Sequence, residues 1–183
     1  MTKRDIFVKA LKREPIKGLV PHFELVFYLT MEAFGRVHPC HMSFSQWNQM
    51  SSQERNLHID NIADLYIIIA EHYNHYAIFV QPVSGCIDGM QRVLERIREK
   101  SGNKYFLMVH GDPTFSIPSG SDMVDFSAHL YENKAGMKAL AARRVEEQTE
   151  YIDKYFNTGI LDGFALCSDY CFNVNPFFSP DMF

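Results

Sequence analysis

Six polar side chains lie within or just after short apolar runs of this chain: Glu24, Gln81, His110, Asp112, Ser168 and Asp169. Where such runs form parallel strands, residues at their C-terminal ends line the ligand cleft. These six are therefore the expected substrate-binding positions, and none is assigned a catalytic step. Each also has an ordinary role. Gly111-Asp112-Pro113 is good turn chemistry by itself. Asp169 suits a helix or loop cap, and Glu24 suits a satisfied polar group at a rim.

Metal ligation is the second chemistry to weigh. Cys167 and Cys171 stand four residues apart, and His38-Pro39-Cys40-His41 could supply further ligands. Zinc sites use such spacings in pairs. A strand position for Cys167 instead favours a small buried thiol, and the four cysteines, with Cys86 among them, read as reduced and inert. His72, Tyr73, His75 and Tyr76 form an aromatic group ahead of a strand, explained by packing and helix-end capping. Gly111 and Gly120 flank a Ser/Pro-rich loop with no Gly-Lys-Ser/Thr, so no phosphate loop is expected.

The 183 residues carry a net charge of -4 with scattered basic residues, which argues against nucleic-acid binding. The aromatic content, 15 Phe and 9 Tyr against one Trp, is that of a filled core. The N-terminus lacks the apolar stretch of a secretory signal. The longest apolar run, Leu65 to Ala70, falls far short of the ~20 residues that cross a bilayer. A cytoplasmic protein without a membrane partner is expected, folded as one domain over 1–183.

The elements that must position these residues alternate. Helical periodicity runs from Lys3 to Arg13, and a β-rich run from Leu19 to Phe27 predicts a first strand, with Pro21 at its start. Residues 31–52 are turn-rich, the composition of a long functional loop. A helix is expected from Ser52 to about His72, a strand over Tyr76–Gln81, and an amphipathic helix over Asp88–Lys100. A doubly buried strand follows over Tyr105–His110. Helices over Met123–Tyr131 and Lys134–Asn157 precede a strand over Gly163–Ser168. This order predicts an α/β fold with about four parallel strands joined by right-handed crossovers. The first strand's loop has no Gly-rich fingerprint, which disfavours an open doubly wound sheet.

The segment Asp162-Gly163-Phe164-Ala165-Leu166-Cys167-Ser168-Asp169-Tyr170, with Pro176-Phe177-Phe178-Ser179-Pro180-Asp181-Met182-Phe183, resembles a motif of the uroporphyrinogen decarboxylase superfamily. Glu14-Pro15, Val20-Pro21 and His110-Gly111-Asp112-Pro113-Thr114 extend the resemblance over the whole chain. It implies the N-terminal half of a (β/α)₈ TIM barrel, since the whole barrel needs roughly 250 residues. The chain is accordingly expected to stop before the second half. The decarboxylase branch is disfavoured. No arginine follows the first run until Arg36, and Gln81 stands where an aspartate would lie, leaving substrate carboxylates without cationic partners. The chain is more similar to the corrinoid-dependent methyltransferases, which implies methyl transfer between a methyl-corrinoid and a thiol or other acceptor. In that branch the zinc ligands belong to the second half. The resemblance thus implies zinc and corrinoid for the complete enzyme and no cofactor held by this chain alone. Expected partners are a corrinoid protein and the C-terminal half or a second copy; the alternative is a non-catalytic half-barrel binding protein, because open sheet edges favour pairing.

Overall fold

A computed structural model describes residues 1–37, 44–81, 87–167, 170, 171, 174–177 and 179, with backbone alone for 44–46, 87 and 88. It resolves into two compact units: residues 1–110 with 155–164, and residues 111–154 with 165–183.

The first unit opens with α1 (Lys3–Leu11), started by a reciprocal cap. The Thr2 hydroxyl accepts from the Asp5 amide, and the Asp5 carboxylate accepts from the Thr2 amide. A short α2 (Thr30–Phe34) ends at Gly35, whose φ of 65° suits glycine. A 3₁₀ turn (Phe44–Gln49) leads into α3 (Ser52–His72), begun by the same device between Ser51 and Glu54. Strand β1 (Ala77–Val80), α4 (Ile87–Ser101) and β2 (Phe106–His110) follow. Beyond the second unit's α5 (Asp122–Glu132) and the long α6 (Lys134–Phe156) comes β3 (Gly163–Ala165).

The sheet is parallel, in the order β1-β2-β3, and it is not closed into a barrel. Ala77 to Val80 pair with Phe106 to Val109 in simple register. Both runs are buried at every one of these positions, as unbroken apolar sequence requires. Helix α3 packs on β1 and α4 and contributes Ile62, Leu65 and Ile69; α4 contributes Val93, Leu94 and Ile97. Each such side chain stabilises the core by roughly 1.5–3 kcal/mol. Phe7 of α1 packs against Phe106 and Phe23, with ring centroids 4.9 and 6.0 Å apart.

The first strand expected over 19–27 does not form. The segment runs beside β1 and is tied to it at both ends of the strand. The Tyr76 amide donates to the His22 carbonyl at 2.9 Å, and the Gln81 side chain donates to the Leu25 carbonyl at 3.0 Å. Pro21 has no N–H to give, and Leu19 and Val20 are more than 70% exposed. With no strand on its outer side, the segment buries too little to offset the entropy of a regular ladder. The expected four strands are therefore three among the described residues.

One buried carboxylate ties this unit together. Asp162, 6% exposed and one residue before β3, accepts from Arg4 at 2.8 Å, from Arg98 at 2.9 Å and from the Leu107 amide at 2.9 Å. Burial alone pushes its pKa up. The Arg4, Leu107 and Arg98 hydrogen bonds together outweigh that and hold it below the ordinary carboxylate value. Because it sits at the N-terminal end of its strand, Asp162 is placed for stability and not for a cleft.

The aromatic group before β1 is a packing cluster, as expected. Tyr73 lies 4.9 Å from Phe27, Phe34 lies 5.5 Å from His72, and buried His75 meets His22 edge-on at 5.4 Å. Burial, then the neighbouring His22 and Lys3, lower the His75 pKa against the opposing pull of Glu24. Among the described residues no helix is long and apolar enough to cross a membrane.

Candidate functional site

The second unit carries a concave surface, and its local sequence explains why. Residues 111–121 form the loop after β2. The loop is clasped at its start by Asp112, whose Oδ1 accepts from the Thr114 amide at 3.0 Å and whose Oδ2 accepts from the Cys167 amide at 3.2 Å. Helix α5 then runs to Glu132, where Asn133 breaks the chain and restarts it. Its Oδ1 accepts from the Gly136 amide at 3.1 Å, an N-cap interaction for α6. A Cβ at Gly136 would meet the Asn133 amide group at 2.4–2.8 Å, so a side chain there would push Asn133 out of its capping position.

Between the loop and the two helices lies a groove of about 570 Å³, lined by Phe115, Phe126, His129, Met137, Leu140 and Arg144 among others. That volume lies in the range of small-molecule sites. Phe115 and Phe126 meet edge-on at 6.0 Å, and Phe177 stacks on Phe126 at 6.2 Å. The Arg144 guanidinium lies 4.6 Å from the Phe115 ring centre and donates to the Thr114 carbonyl at 2.8 Å, which fixes it at the edge of the groove. His129 Nδ1 is 2.9 Å from the Asp125 carbonyl. A carbonyl only accepts, so Nδ1 carries the proton and Nε2 of the neutral ring is left as an acceptor. The groove thus combines flat apolar walls with the Arg144 cation, the Asp122 carboxylate and the His129 ring.

The residues expected from sequence take other places. Exposed Glu24 and half-buried Gln81 line a cavity in the first unit of only about 20 Å³, room for about one water. Gln81 has a structural task there: its amide donates to the Tyr66 hydroxyl and its side chain pins Leu25. His110 ends β2 and is exposed. Asp112 acts as the turn clasp described above and also borders a polar groove of about 290 Å³ with Arg144 and Glu147. Ser168 and Asp169 lie outside the described residues, as do His38, Cys40, His41 and Cys86. Cys167 falls two residues beyond β3, so both it and Cys171 are exposed rather than buried. Among the described residues no three His, Cys, Asp or Glu side chains converge as metal ligands would.

Met137 and Leu140 fall on one face of α6 by helical periodicity. In the fold the face is only half-buried and lines the groove. The available signal was Arg144, which continues that face at i+4 from Leu140 and puts a cation in an apolar stripe. Comparisons with protein families, curated proteins and solved structures return no match.

Proposed function

We propose that this chain is the N-terminal half of a (β/α)₈ barrel of the uroporphyrinogen decarboxylase type, from the branch that transfers methyl groups between a corrinoid and a thiol or other acceptor. The observation that carries this reading is the sheet: parallel neighbours in strict chain order, joined through helices, with residues 21–27 running beside β1 where a preceding stave would lie. The motif from Asp162 to Phe183 supports it, as does the placing of the groove on the loop that follows a strand's C-terminal end. In this reading the groove is the substrate cleft, and the complementary half completes the cylinder. The described residues do not fit a zinc site, so no step through zinc is assigned to this chain.

Co-expression with a chain carrying the family's His-x-Cys…Cys half tests the proposal. The expected product is a one-to-one complex that moves a methyl group from methylcobalamin to a thiol. Failure of the two chains to associate would remove the reading. The second reading, a half-barrel that binds without catalysis, is favoured by the unclosed sheet and by the exposure of Val124, Tyr131 and Val145 on α5 and α6. A stable homodimer that ignores the complementary half would select it.

A further inference from the structure

The geometry points to a ligand class for the groove of the second unit: a small monoanion with a flat apolar body, of which an aryl carboxylate is the simplest. This rests on the reading of the groove as a substrate cleft, although not on methyl transfer. Four features argue for it. The walls are flat and apolar, supplied by Phe115, Phe126, Met137 and Leu140, and an aryl ring is the body that stacks best on such faces.

Arg144 is the anion partner, and its carboxylate neighbours are occupied elsewhere. Glu147 pairs with Arg143 at 3.3 Å, and both oxygens of Asp112 are taken by backbone amides. Among the described residues Arg144 forms no ion pair. Its bond to the Thr114 carbonyl and its stacking on Phe115 orient it without neutralising it. A guanidinium held in this way matches a planar carboxylate.

Asp122 also borders the groove. That carboxylate disfavours multiply charged anions and restricts the match to one negative charge. Finally, His129, with Nδ1 committed to the Asp125 carbonyl, keeps Nε2 as a hydrogen-bond acceptor within a lining that also includes the Asp122 carboxylate. A ligand with a ring hydroxyl should therefore bind better than one without it.

Isothermal titration of the full chain with benzoate, 4-hydroxybenzoate and neutral benzamide tests this. We expect saturable one-site binding of both acids, tighter for the hydroxylated one, and benzamide weaker by about tenfold or more, as loss of a charge-assisted hydrogen bond implies. R144M should weaken benzoate by a similar factor. Leu140→Trp, which fills the groove while leaving Arg144 in place, should abolish binding with an unchanged circular dichroism melt. The inference is overturned by equal affinity for benzamide and benzoate, by wild-type affinity in R144M or L140W, or by no saturation at millimolar ligand. Titration of this chain alone is independent of the two-chain assembly experiment. Binding without assembly would remove the barrel reading only, and assembly without binding would remove only the ligand class.

Discussion

Replacing Asp162 by alanine should cost the first unit about 3 kcal/mol of folding stability. The side chain is 6% exposed, and its oxygens hold two guanidinium groups and one backbone amide, all at 2.7–2.9 Å. Removing one member of a buried ion pair typically costs about 3–5 kcal/mol, because the remaining charge is stranded. Here the stranded partners are 35% and 18% exposed, so Arg4 in particular can turn to water, and the lower end of that range applies. The Leu107 amide, inside the sheet, has no such escape. Urea unfolding read by the single tryptophan, Trp47, which is buried in the first unit, would measure the loss. Asp162→Asn keeps an acceptor for Leu107 but gives up the charge, and should lose about half as much. The same carboxyl gives a pH signature. Its pKa is lower in the folded chain than the ordinary value, so its contribution is complete above about pH 4 and fades as pH falls through the folded value. Asp162→Ala should flatten that acid limb. A loss below about 1 kcal/mol, or an unchanged acid limb, would refute the view that this carboxylate holds the unit together.

His75 titrates in the opposite range. Its folded pKa lies below the ordinary 6.5, so the unfolded chain takes up the proton first and stability should decline as pH drops through about 6.5. Melting curves of His75→Phe between pH 7.5 and 5.5 should lack that decline. Gly163→Ala would put a Cβ 2.8 Å from the Phe106 ring, and overpacking of that kind should lower the unfolding free energy measured in urea by about 1–3 kcal/mol. Asn133→Ala removes the side chain that caps α6 and should cost about 1 kcal/mol, seen as lost helical ellipticity on heating.

The elements were legible wherever one short stretch decides its own fate. The helix over 52–72 follows from a capping box and a periodic apolar face, and the strands after Tyr76 and Tyr105 from apolar runs bounded by turns. The run over 19–27 has the same composition and does not become a strand, because a strand needs neighbours and composition does not supply them. The Asp162 network was out of reach for a related reason. It joins residues 158, 64 and 55 positions apart, and nothing local in the Asp162-Gly163 pair announces those partners. Of the six expected site residues, the structure gives Gln81 and Asp112 hydrogen-bonding tasks in holding loops. The groove arises instead from helix faces whose apolar periodicity does not distinguish a core from a cleft wall. An apolar stripe shows that a face wants cover, and leaves open whether protein or ligand provides it.

The Arg4–Asp162 bond also has a bearing on synthesis. Arg4 and Arg98 are fastened by a carboxylate 158 and 64 positions further along, so a nascent chain that has not yet reached Asp162 displays two guanidinium groups with their counter-charge still unmade. Early compaction of the first unit must then proceed without this ion-pair network, with the locking deferred until Asp162 has emerged.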